Sequence, residues 1–186
     1  MTKKNTDTPY AMLPAPPLHR RIIAMLYDFA VAITGIVIIS LVLISFISPQ
    51  ESIPPLSPLA NTLFAFQLLL SALYFVIFWL KKDYTLGMSV WKLRISDSAG
   101  NKITPMQAII RYFSIISIIA LGFIISHQLL HLSSGSSVLM SILFLGLSLM
   151  WSLFNPDKLA LHEQLSRTKL IDIRFNKLSN PSNEIQ

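Results

Sequence analysis

The residue whose type and setting most demand chemistry is Asp28. It closes the stretch Arg20-Arg21-Ile22-Ile23-Ala24-Met25-Leu26-Tyr27-Asp28 and lies inside an apolar run, residues 22–47, that holds no other formal charge. An ionised carboxylate in hydrocarbon costs on the order of 3 kcal/mol even on lenient insertion scales, so it needs a counter-charge, a water path or an ion. Ala24, Asp28, Ala32 and Gly35 fall along one helical face. Small residues admit a neighbouring helix, so that face is expected to meet other helices and not lipid. Two chemistries stay open for Asp28: a static ion pair, or a carboxylate that exchanges a proton or cation. Arg21 lies about 10 Å nearer the start of the run at 1.5 Å per residue. Arg20 and Arg21 are expected to reach outward as anchors at the membrane surface. The expected partner of Asp28 is Arg111, six residues past Pro105 in another apolar run, where Gln107, Arg111, Ser114 and Ser117 share a face. Pairing would pin the two helices together, and snorkelling of Arg111 to the headgroups is the alternative.

Other polar residues recur at helical spacing. Gln67, Ser71 and Tyr74 form one set, and Ser141, Ser148 and Ser152 another. Helix packing is the plain explanation of both sets, and a polar cavity lined from four helices is the sharper one. His127 and His131 are four apart, a spacing that can place two imidazoles on one metal. Glu51 is the one acidic residue near them and no third ligand is evident, so no metal site is expected. There is no Ser-His-Asp set, phosphate-binding glycine loop or HExxH motif. Asp157 and Glu163 make no recognisable acid–base pair. The absence of cysteine excludes disulfide scaffolds, iron–sulfur clusters and thiol catalysis. The expectation is a protein that is not an enzyme and carries no cofactor.

The elements that must position these residues are membrane spans. Of 186 residues 53% are hydrophobic and 13% charged, against about 25% charged in ordinary soluble domains. The expected fold class is an all-α membrane protein of four transmembrane helices over residues 22–47, 59–80, 105–130 and 138–154. Residues 1–18 are polar and proline-rich and read as an extended or disordered tail. Their length and the lack of a small-x-small site argue against a cleavable signal. Residues 48–58 carry four prolines and read as a loop. Between the second and third spans, Trp91, Leu93 and Ile95 alternate with Lys92, Arg94 and Ser96 ahead of the turn residues 97–100. A small amphipathic hairpin on the membrane surface is expected there. Residues 159–166 read as a short surface helix and 168–173 as a strand. All 15 Lys and Arg residues fall in the N-terminal segment, between the second and third spans, at the start of the third, or after the fourth. The two outer connections have none. By the positive-inside rule both termini are cytoplasmic. That placement accounts for the net charge of +6 without nucleic acid.

Three blocks carry a resemblance to a known group. The first is Arg20 to Asp28. The second runs from Thr85-Leu86-Gly87 through Leu93-Arg94-Ile95, Asp97 and Gly100 to Ala108-Ile109-Ile110-Arg111-Tyr112. The third is Leu161-His162-Glu163-Gln164-Leu165-Ser166-Arg167-Thr168. Together they resemble the RDD family of bacterial integral membrane proteins. Leu86 and Met88 stand where that family usually has Pro and Lys. Glu163 stands where Asp is usual, with Asp157 as another match for the family's second aspartate. The resemblance implies an RDD-like domain over residues 20–173, with cytoplasmic tails at 1–19 and 174–186. It draws attention to Arg20, Arg21, Asp28, Gly87, Arg111, Asp157, His162 and Glu163. It also implies a multi-pass protein of the bacterial inner membrane with a transport role such as cation/proton exchange. The partners expected are the lipid bilayer, an inorganic cation or proton, and a second copy of the chain or another membrane protein. The alternative is an accessory protein that scaffolds a complex, with Asp28 and Arg111 as a static pair.

Overall fold

A computed structural model of the chain describes residues 13–47, 53–54 and 57–175. Four long helices dominate it: α1 (Leu18–Ile47), α2 (Pro58–Lys82), α4 (Pro105–Ile124) and α5 (Ser134–Phe154). Each is long and apolar enough to cross a membrane. Their side chains point mostly outward, Phe46 and Phe154 being 82% and 80% exposed, as helices facing hydrocarbon require. The expected loop at 48–58 lies mostly outside the described residues.

Local chemistry explains the helix ends. Ser57 accepts from the Ala60 N–H, and Pro58 takes the first position of α2, where its missing N–H is harmless. Thr104 and Gln107 form a reciprocal capping box at the start of α4. Beyond Ile124 this helix widens into one π-helical turn, Ile125–Leu129. Ser133 caps α5, which therefore starts earlier than residue 138.

Four short elements gather at one end of the bundle: α3 (Leu86–Val90), the strand β1 (Leu93–Asp97), α6 (Leu161–Ser166) and the strand β2 (Thr168–Asp172). The strand expected at 91–96 forms, but not as a local hairpin. β1 runs antiparallel to β2, with Leu93 opposite Asp172 and Asp97 opposite Thr168. The turn after β1 does close, the Asn101 N–H donating to Asp97 Oδ1 at 2.7 Å. The chain then enters α4 and leaves β1 free to pair with the C-terminal segment. Leu93, Ile95 and Leu170 bury one face of this ribbon against Ala24, Trp79, Ala108 and Tyr112. An isolated two-stranded ribbon is marginal in water, and packing on the helices stabilises it. The N-terminal tail also joins this end from Leu13 onward. Leu13 and Pro16 are buried, and the Pro14 carbonyl accepts from the Asp172 N–H at 3.2 Å.

Candidate functional site

Two buried polar groups sit where α1 begins, α2 ends, α4 begins and α5 ends. The first is built on Glu163. Arg21 Nη1 donates to Glu163 Oε2 at 2.9 Å, and Arg111 Nη2 donates to Glu163 Oε1 at 3.3 Å. Glu163 also accepts from the Ala160 N–H at 3.0 Å, half of a capping box that Ala160 has no oxygen to complete. Arg111 Nη1 donates to Thr168 Oγ1 at 2.6 Å, and its guanidinium lies 5.5 Å from the centre of the Trp79 ring. Arg21 is steadied further by the Pro16 carbonyl, which accepts from Nε at 3.1 Å. Burial alone would raise the Glu163 carboxyl, but the charges of Arg21 and Arg111 outweigh it and hold the group below its ordinary range.

His162 is part of this cluster. Arg111 Nη2 lies 3.4 Å from His162 Nε2. Arginine only donates, so Nε2 accepts and the neutral ring carries its proton on Nδ1. Burial, aided by the neighbouring Arg111 charge, pushes the imidazole down to about 3. The ring is therefore neutral at pH 7.

The second group is built on Asp28. Its carboxylate accepts from the Thr85 hydroxyl and from the Gly87 N–H, the latter at 2.8 Å. Thr85 is also the N-cap of α3, so one hydroxyl both starts this helix and holds it against α1. Gly87 permits the approach: a Cβ there would strike the Ala24 carbonyl oxygen and lie 3.0 Å from Asp28 Cγ. Next to these groups Arg20 reaches across to Asp172 and to the Trp91 carbonyl, with its guanidinium 5.8 Å from the Trp91 ring centre. Burial would raise the Asp172 carboxyl, but hydrogen bonds from Arg174 and the Arg20 charge hold it low.

Asp28, Arg21, Arg111, His162 and Glu163 all line one cavity of about 200 Å³ between α1, α2, α4 and α5. Apart from Ser71 and Tyr112, whose hydroxyls bond to each other, its remaining walls are apolar, among them Phe29, Ile36, Phe75, Ile116, Leu145 and Leu149.

Several expectations change here. The Asp28–Arg111 pair does not form. Arg111 has a nearer carboxylate in Glu163, and α3 supplies Asp28 with neutral donors. Arg111 is 3% exposed and does not snorkel. Arg20 and Arg21, expected at the lipid surface, are each 4% exposed and bound to acidic side chains. Asp157 is exposed in the turn after α5 and stands apart from the cluster, so Glu163 occupies the acidic position beside His162. His127 stacks on Phe123 and contacts the Leu132 carbonyl through Nδ1. Ser141 and Ser152 are buried and donate to carbonyls of their own helix, which fits the packing explanation. Thr85, Trp79, Thr168 and Asp172 also belong to the site, beyond the residues expected there from the sequence. Thr85 carried a signal, since Thr before a short apolar run is an N-cap pattern. Thr168 closes the third family block, whereas Trp79 and Asp172 carried no signal, because their roles come from elements far away in the chain.

No curated protein and no solved structure matches this chain. A family profile does match, that of the RDD family, over residues 15–167. This range takes in all four long helices, Arg20, Arg21, Asp28, Gly87, Arg111 and the His162–Glu163 pair. The chain belongs to the RDD family.

Proposed function

We propose that this protein is a multi-pass component of the bacterial cytoplasmic membrane with a transport-related role, in which Asp28 exchanges a proton or a cation. Both termini, the β1–β2 ribbon and α6 then face the cytoplasm, the side on which the positive-inside rule places the basic residues. The observation that carries the reading is the setting of Asp28. It is a carboxylate within a spanning helix, on the wall of a cavity, held by a hydroxyl and a backbone N–H, with no cationic partner among the described residues. A carboxylate meant only to cancel a charge would sit against Arg21 or Arg111, and Asp28 pairs with neither, both of them binding Glu163. Four helices are few for a complete translocation path, so the working form is a homo-oligomer or a complex with another membrane protein. No nucleic acid, cofactor or catalytic reaction belongs to this reading.

The test is reconstitution into proteoliposomes with measurement of pH change driven by a cation gradient. Asp28→Asn is nearly isosteric and retains an oxygen for the Gly87 N–H. The expected result is loss of exchange with the fold retained. Equal rates for the two proteins refute the role of Asp28.

A second reading rests on a different observation. Two buried ionic networks, Arg21–Glu163–Arg111 and Arg20–Asp172, fasten α6 and β2 to the helix ends. They make that end a fixed surface, as an accessory protein that holds a partner requires. Wild-type exchange rates no higher than empty vesicles, with a partner retained on purification, favour this reading.

A further inference from the structure

Three buried N–H donors on the cavity residues have no acceptor among the described residues: Arg111 Nε, His162 Nδ1 and Trp79 Nε1. Their side chains are neighbours, Arg111 lying between the Trp79 ring and His162 Nε2. All three residues are at most 5% exposed. The tautomer of His162 is fixed by Arg111, so its free nitrogen is a donor and cannot serve as an acceptor. A buried donor left unpaired costs about 1–3 kcal/mol, and three in one place are rarely left so. The ionic cluster beside them sets two guanidinium charges against the single Glu163 carboxylate, with His162 neutral. It therefore favours a further negative charge. Asp28 lies on the same cavity but pairs with neither arginine, its carboxylate turning to the Thr85 hydroxyl and the Gly87 N–H.

Apart from Asp28, Ser71 and Tyr112, the remaining wall is hydrocarbon. At about 200 Å³ the cavity holds far more than one water, whose share of liquid volume is roughly 30 Å³. Water along Ile36, Ile116, Leu145 and Leu149 would find few partners. A ligand that fits both parts has acceptor-only oxygens at one end and an apolar chain behind them.

We propose that the cavity between α1, α2, α4 and α5 binds a single-chain amphiphile ending in an oxyanion, a carboxylate or a phosphate, with the head on Trp79, Arg111 and His162. The chain lies along the apolar walls of α1, α4 and α5. This inference goes beyond ion exchange and does not depend on it, since binding at equilibrium needs no gradient.

The test uses the full chain in phosphatidylcholine nanodiscs, with binding to empty discs subtracted. Radiolabelled dodecanoate and dodecyl phosphate are the two probes, and they separate a carboxylate head from a phosphate head. Saturable binding of either supports the proposal. Dodecyltrimethylammonium, with the same chain and a cationic head, should fail to compete, and so should acetate, which has the head and no chain. Trp79→Phe keeps an aromatic ring and removes one donor, and should weaken binding roughly tenfold. Ala32→Phe and Ile36→Phe fill the cavity from α1 and should abolish binding while Asp28-dependent exchange is read separately. Non-saturable uptake of both probes overturns the proposal. Equal competition by the cationic amphiphile overturns it too, as does unchanged binding in both filled variants.

Discussion

Removing the charge of Glu163 while keeping its shape tests whether the buried cluster is the keystone of this end of the molecule. In Glu163→Gln one oxygen can still accept from the Ala160 N–H, so the start of α6 need not be lost. What disappears is the carboxylate that Arg21 and Arg111 share, both nearly inaccessible to water. Breaking a buried ion pair by removing one partner typically costs about 3–5 kcal/mol, because the remaining charge is stranded. Here two guanidinium groups are stranded by one substitution, which places the expectation in the upper part of that range. A loss of that size is a large share of the roughly 5–15 kcal/mol that stabilises a folded domain. The assay is reversible unfolding in mixed micelles, titrated with dodecyl sulfate and followed by circular dichroism. Lys102→Gln serves as control. Its partner Asp83 lies 3.6 Å away but the lysine is 70% exposed, so the change should be below about 1 kcal/mol. Adding Arg21→Gln to Glu163→Gln removes one stranded charge and should restore part of the loss, a coupling of about 0.5–3 kcal/mol. If Glu163→Gln and Lys102→Gln fall together below about 1 kcal/mol, the cluster is not a source of stability and the reasoning is wrong.

Two further outcomes follow from single positions. His162 is held neutral with its folded value at about 3 against 6.5 unfolded, so the unfolded chain binds the extra proton between those values. Stability should fall by about 1.4 kcal/mol per pH unit below 6.5, and that slope should be absent in His162→Phe when unfolding is measured between pH 6.5 and 4.5. Gly87→Ala places a methyl group against the Ala24 carbonyl and the Asp28 carboxylate, and should cost about 1–3 kcal/mol by pushing α3 off α1. An alanine variant as stable as the parent in the same unfolding assay removes the close approach from the account.

What the sequence determined alone is what depends on near neighbours. Apolar runs of sufficient length, caps such as Thr104 with Gln107, and prolines at helix starts are written within a few residues of where they act. The four long helices were legible for that reason, and so was the family, whose blocks keep their order along the chain. Asp28 and Arg111 were legible as residues too costly to lie in lipid without a purpose. Their partners were not. Arg21 meets Glu163 across 142 positions and Arg20 meets Asp172 across 152. β1 finds its mate in β2 and not in the chain beside it. Depth along a helix suggested Arg111 for Asp28 because both enter from the same end. Only the docking of α3 and α6 onto that end decided otherwise. Each brings donors or a carboxylate closer than the opposite helix can reach, and a buried charge goes to the nearest group that satisfies it.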